Sequence, residues 1–90
     1  MPDLVQVFGS SILVHTGQTQ VYGIVLTAST GVPLVTLYDN TEASGTIVFQ
    51  AYVSQPISIF FPERNVLNFD TALYVSLGEN VVVTIWSRQL

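Results

Sequence analysis

The stretch "TLYDNTEASGT", residues 36–46, gathers Asp39, Asn40 and Glu42 into four positions of a chain that otherwise carries almost no charge. Three oxygen-bearing side chains this close could contribute to a Ca²⁺ site, which needs about six to eight oxygens from flexible, often carboxylate-rich loops. The spacing departs from that of an EF-hand loop, which wants acidic or amide residues at its first, third and fifth positions, glycine at the sixth and glutamate at the twelfth. Asx side chains also close turns by bonding nearby backbone, and Gly45 supplies a flexible exit. The residues point to a turn first and a cation loop second.

His15 is the single histidine. A nucleophile, base and orienter arrangement would require it to meet a Ser or Thr and a distant carboxylate, and nothing in the spacing constrains that. With no cysteine, only carboxylates remain as its partners for zinc. Between Val14 and Thr16 on a predicted strand, a half-exposed polar residue is the ordinary expectation. Paired carboxylates can hydrolyse glycosides, but the acids here all fall near predicted turns or the N-terminus. No catalytic, cofactor-binding or metal-ligating residue is assigned, and a non-enzymatic protein is expected.

The elements that position these residues follow a period of two. In "TQVYGIVLTA", Tyr22, Ile24 and Leu26 fall on one face and Val21, Gly23, Val25 and Thr27 on the other. In "TIVFQAYV", Ile47, Phe49, Ala51 and Val53 oppose Thr46, Val48, Gln50 and Tyr52. In "TALYVSL", Leu73, Val75 and Leu77 oppose Ala72, Tyr74 and Ser76. Each pattern is that of a half-buried strand, and no window shows helical spacing with caps at both ends. Strands are predicted near residues 4–8, 11–16, 19–28, 33–39, 45–53, 56–61, 64–69, 71–77 and 80–87, some of which could merge. Turn residues separate them at intervals of about ten, the signature of an antiparallel sandwich, jelly roll or small barrel. The expectation is one all-β domain over residues 1–90: an antiparallel β-sandwich, jelly-roll-like, of about eight short strands and without significant helix.

Charge is the sharper constraint. Asp3, Asp39, Glu42, Glu63, Asp70 and Glu79 stand against Arg64 and Arg88, with no lysine, for a net charge of −4. Two arginines cannot neutralise a run of phosphates, so nucleic acid is not an expected partner. The apolar runs are far short of the about 20 residues of a membrane span. The start "MPDLVQVFGSS" has no basic n-region, so no signal peptide is expected. A monomer of this size exposes roughly 5,200 Å², and soluble surfaces are usually designed with about 25–35% charged residues. Here charged residues make up 9% of the whole chain, which implies that part of the surface is covered in the working state.

Two segments, "VVVTIW" and "ISIFF", are apolar on both faces. Either their outer faces meet another subunit, or they are central strands covered by long loops. Tyr52, Phe60, Tyr74 and Trp86 fall opposite the core face or on these strands and are the candidate interface anchors, since Trp, Tyr and Arg often dominate interface energy. Aromatic residues on one sheet face could also stack against a glycan. Arg64, next to Glu63 in a turn, and Arg88, just beyond the last predicted strand, are candidate charge-assisted contacts to a partner; for Arg64 a solvated local pair is the simpler reading.

From about residue 11 to residue 87 the chain resembles a loose class of small virion proteins of tailed bacteriophages. The features that carry the resemblance are "VYGIVLTAS", "LVTLYDNTEASGTIVF", the Pro56-Ile57-Ser58-Ile59-Phe60-Phe61-Pro62 segment and the ending "LNFDTALYVSLGENVVVTIW". The resemblance implies a β-sandwich structural protein of the particle, made in the host cytoplasm. The leading expectation is a capsid decoration or cement protein on the capsid surface, partnered by the major capsid protein and by itself, as a homotrimer about a local symmetry axis. A head-fibre, neck or tail component, or a carbohydrate- or receptor-binding sandwich, is the alternative.

Overall fold

Alternating segments with β-branched and aromatic residues have few ways to bury one face except by stacking two sheets. The computed structural model describes residues 4–90; Asp3 lies outside them. The strands are β1 (Leu4–Phe8), β2 (Ile12–Thr16), β3 (Thr19–Ala28), β4 (Leu34–Asp39), β5 (Thr46–Tyr52), β6 (Ile57–Phe60), β7 (Leu67–Phe69), β8 (Ala72–Leu77) and β9 (Val81–Gln89). Among the described residues the one helical element is a 3₁₀ turn at Glu63–Asn65.

All pairings are antiparallel. The first sheet has the order β1-β9-β3-β6, with β7 also on β3; the second is β2-β8-β4-β5. β6 and β7 dock end to end on one edge of β3, opposite Gly23–Leu26 and Thr19–Val21 respectively. They act as one strand interrupted by residues 61–66. Counted so, the described residues form eight strands in two four-stranded sheets, the jelly-roll arrangement, as the alternation predicts.

The core is the space between the sheets. Val21, Ile24, Leu26, Val83 and Ile85 come from the first and Val35, Leu37, Leu73 and Val75 from the second, all without solvent exposure, and Phe69 packs with them. The Leu73, Val75, Leu77 face falls inward as predicted. Two other face assignments are corrected by bulges, at each of which one extra residue reverses the alternation beyond it. The register of β3 on β9 shifts between Val21 and Gly23, so Val21, Ile24 and Leu26 are buried together while Tyr22 is only half-buried. The register of β5 on β4 shifts at Leu37/Tyr38, which puts Ile47 at the surface while Val48, Phe49 and Ala51 pack against the core.

The predicted strand 64–69 is shortened to β7, because the chain leaves the edge of β3 through the 3₁₀ turn before rejoining it. The excursion begins opposite the β3 bulge, where the Phe61 N–H donates to the Tyr22 carbonyl at 2.8 Å.

Gly78 shows how tightly the connection into β9 is packed. A Cβ there would lie 2.9 Å from the Pro33 Cβ and 3.2 Å from the Leu34 backbone nitrogen, while the Gly78 N–H donates to the Leu34 carbonyl at 3.0 Å. Neither neighbour is the free end of a flexible side chain. Gly78→Ala is therefore expected to destabilise the fold by about 1–3 kcal/mol, the usual cost of overpacking. A chemical denaturation midpoint equal to that of the parent would show that Pro33 yields.

Candidate interaction surface

The loop with which the sequence opened a chemical question is occupied with itself. The Asn40 side-chain amide donates to the Ser44 carbonyl at 3.0 Å and accepts the Thr41 N–H at 2.7 Å, and the Ser44 hydroxyl donates to the Glu42 carboxylate at 3.1 Å. Gly45 leaves the loop at φ 85°, a conformation that favours glycine. Asp39, at the end of β4, accepts the backbone N–H groups of Thr71 at 2.8 Å and Ala72 at 3.3 Å, tying this hairpin to the β7–β8 turn. Among the described residues no three His, Cys, Asp or Glu side chains gather as a metal group would need. The arrangement is a braced turn.

Asp39 also carries a pH dependence. Partial burial pulls its pKa upward, but backbone N–H donors at Thr71, Asp70 and Ala72 together outweigh this and hold it below the ordinary carboxylate value. A depressed carboxylate contributes stability that is present above about pH 3.8 and lost as pH falls through the lower folded value. Because water reaches this site, Asp39→Ala is expected to cost only about 1 kcal/mol. It should also reduce the loss of stability below pH 4, which acid titration of the parent and variant would read.

The structure places His15 on the inner side of β2, with Nε2 3.3 Å from the hydroxyl of Ser87 on β9, across the gap between the sheets. Ser87 is fully buried, so the pair cannot meet a substrate carbonyl and acts as a strut. Burial lowers the His15 pKa, which means that folding favours the neutral ring. Stability is then flat above the ordinary value of 6.5, falls as pH drops below it, and levels off beneath the folded value. His15→Asn should remove that slope; denaturant melts between pH 5 and 7.5 would check it.

The remaining sequence candidates divide between the outer faces. Phe60, Trp86 and Arg88 come together on the first sheet. Phe60 and Trp86 both pair with Gly23 of β3, and their rings meet edge to face with centroids 4.9 Å apart and an interplanar angle of 63°. Gly23 makes this contact possible, since a Cβ there would sit 2.6 Å from the Phe60 ring and 3.2 Å from that of Trp86. Arg88, expected beyond the last strand, lies within β9, which continues to Gln89; its guanidinium carbon stands 5.7 Å from the Tyr22 ring centroid. Arg64 is exposed in the 3₁₀ turn beside β6. The Glu63 side chain, and with it the expected local pair, lies outside what the structure describes.

Tyr52 and Tyr74 are on the other sheet. Tyr74 is in register with Leu13 and Tyr38, and Tyr52, 67% exposed, with Leu34. Beside them Gln50 donates to the Thr36 hydroxyl at 3.0 Å, so this face mixes aromatic and hydroxyl groups.

The outer face of the first sheet is apolar through its middle. Val5 is in register with Trp86 and Val7 with Thr84, while Val25 lies between Thr84 and Ser58. Val5, Val7 and Phe60 are 56%, 64% and 58% exposed. Sequence reasoning missed Val5 and Val7, although "LVQVF" carries apolar residues on both faces. One end of the face is polar, where Gln20 donates to Asn68 at 3.1 Å next to Arg88.

The molecule exposes 4957 Å², close to the roughly 5,200 Å² of an ordinary monomer of its size. Its surface is unusual in chemistry, not in extent. A groove of about 460 Å³ between the end of β3 and the start of β9 is lined by Thr27, Ser29, Asn80 and Val82 among others, with no ionisable side chain. The exposed apolar sheet face, built around Trp86 and Phe60, is thus the candidate site. Comparison with protein-family models, curated proteins and solved structures finds no match to this chain.

Proposed function

We propose that this chain is a non-enzymatic structural protein of a phage particle, a capsid decoration or cement protein that binds the shell as an oligomer. The observation that carries the reading is the apolar outer face of the β1-β9-β3-β6 sheet, where Val5, Val7 and Phe60 are more than half exposed. Such a face on a chain with 9% charged residues is of the kind that marks a protein–protein contact. The jelly roll adds support by analogy alone, since viral capsid domains use the same arrangement among other proteins.

The mechanism is thermodynamic. A copy that binds the assembled shell, and not its dissociated subunits, stabilises the shell by about 2.7 kcal/mol per site when its free concentration is a hundred times Kd. The test is to add purified protein to shells stripped of it, then measure co-sedimentation and resistance to heat. Bound protein and a raised disassembly temperature are expected; shells that neither bind it nor gain stability would count against the reading. Imaging of labelled particles separates a shell position from a head-fibre, neck or tail position.

A second reading, a glycan- or receptor-binding module, is favoured by Tyr38, Tyr52 and Tyr74 beside the Gln50–Thr36 hydrogen bond. Binding on a glycan array that is lost in Tyr52→Ala and kept in Trp86→Ala would select it. The Phe60–Trp86 pair is less suited to a sugar, because rings at 63° present no common flat platform.

A further inference from the structure

We propose that the outer face of the β1-β9-β3-β6 sheet is a self-association surface, on which two copies of this chain pack sheet against sheet about a two-fold axis. The inference deepens the oligomer half of the function proposed above and does not depend on the virion half.

The first argument is charge. A chain of net charge −4 repels its own copy, so a self-contact needs a surface without acids. Neither β1, β3, β6, β7 nor β9 contains an Asp or Glu. Asp70, Glu79 and Glu42 stand in the connections, Glu63 in the 3₁₀ turn between β6 and β7, and Asp39 in the other sheet, while Asp3 lies outside the described residues. The face is a surface that two acidic copies can bring together without stacking like charges. An isologous contact, in which the same patch meets itself, is favoured by that condition, because groups near the axis meet their own copies. A heterologous partner does not require it.

The second argument is size. Strands β1, β3, β6, β7 and β9, of 5, 10, 4, 3 and 9 residues, at about 3.3 Å per residue and about 4.8 Å spacing give a footprint of roughly 500 Å² per copy. Two copies together bury about 1,000 Å², the size that a specific interface has to reach. The third argument is shape. One row of the face runs Val5, Trp86, Gly23, Phe60 across the strands and the next runs Val7, Thr84, Val25, Ser58, so that apolar groups stand beside small hydroxyls without any charge. Sheets of this kind stack about 10 Å apart. The Phe60–Trp86 pair fills the space above Gly23, and the Gln20–Asn68 and Arg88 end supplies a polar rim of the kind such interfaces carry.

The experiment is light scattering across a dilution series on the parent, Val7→Glu and Tyr52→Glu. Both substituted positions are more than half exposed, and circular dichroism melts establish that each variant is folded. The parent is expected to have the mass of two chains. Val7→Glu should dissociate it, with an affinity loss on the order of 100-fold from burying an unpaired charge, while Tyr52→Glu on the other sheet should leave the mass unchanged. Because the chain has no cysteine, Thr84→Cys near the middle of the face provides a second readout: rapid disulfide-linked dimer under oxidation, absent for Tyr52→Cys.

A parent that stays a single chain at tens of micromolar overturns the pairing. If that monomer still binds shells, the virion reading stands and the face is covered by shell protein instead. A mass of three chains also overturns it, since isologous faces close in twos, and leaves the expected trimer in place. Dissociation by Tyr52→Glu and not by Val7→Glu would move the contact to the other sheet.

Discussion

Replacing Ile85 by alanine is expected to destabilise the fold by about 3 kcal/mol, within the range of about 2–5 for such core truncations. Ile85 has no solvent exposure and sits at the middle of β9, in register with Gln6 of β1 and Ile24 of β3. Its side chain points between the sheets, where neighbours from both layers fix the walls and little can collapse into the space left behind. A domain of 90 residues is stable by only about 5–13 kcal/mol at the usual per-residue value. No disulfide reinforces it. One truncation thus removes a large share of the margin. The check is urea denaturation, where the midpoint should fall with little change of slope. An unchanged midpoint would mean that the two sheets do not close over this position.

Replacing Trp86, the next residue, is expected to act on assembly instead. Trp86 points to the opposite side of β9, half-buried against Phe60 above Gly23, so its removal opens no cavity between the sheets. As the largest aromatic group on the proposed contact face it fits the profile of an anchor, for which alanine typically costs about 2 kcal/mol or more. That corresponds to roughly 30-fold weaker association. Sedimentation of the variant alone and with shells would measure it. If Trp86→Ala instead lowered the denaturation midpoint as much as Ile85→Ala and left assembly untouched, the aromatic pair would be a cover for the glycine strand and not a contact surface.

That "VVVTIW" is apolar on both faces was legible, while which of its residues face the core was decided by the pairing of β9 with β1 and β3, which buries Ile85 and turns Trp86 outward. The same reading failed at Tyr22 and Ile47. Each lies at a register shift, and a bulge is decided by the partner strand as much as by the strand that carries it. Tyr22 lies where residues 61–66 leave the sheet edge; Ile47 is displaced because Leu37 and Tyr38 of β4 pair with Phe49 and Ile47 and leave Val48 of β5 as the extra residue. Neither cause is local in sequence, so period-two counting runs through both positions and assigns the wrong face. Arg88 was misplaced for a related reason. "SRQ" looks like a tail, yet Gln20 and Thr19 of β3 pair with Arg88 and Gln89 and extend the strand.

The sequence by itself determined that this is an all-β domain with turns at Gly17, Gly31, Gly45 and Asn80. It also determined that the surface is poor in charge, because alternation, turn chemistry and composition are properties of residues and near neighbours. Only the tertiary structure decided which apolar side chains share a face. Val5 meets Trp86 because the first and last strands pair, and Phe60 meets Trp86 because both flank a glycine on β3. Those pairings join distant parts of the chain, and they form where burying the opposite faces in one core is most favourable. The outer face is assembled as a consequence of the inner one.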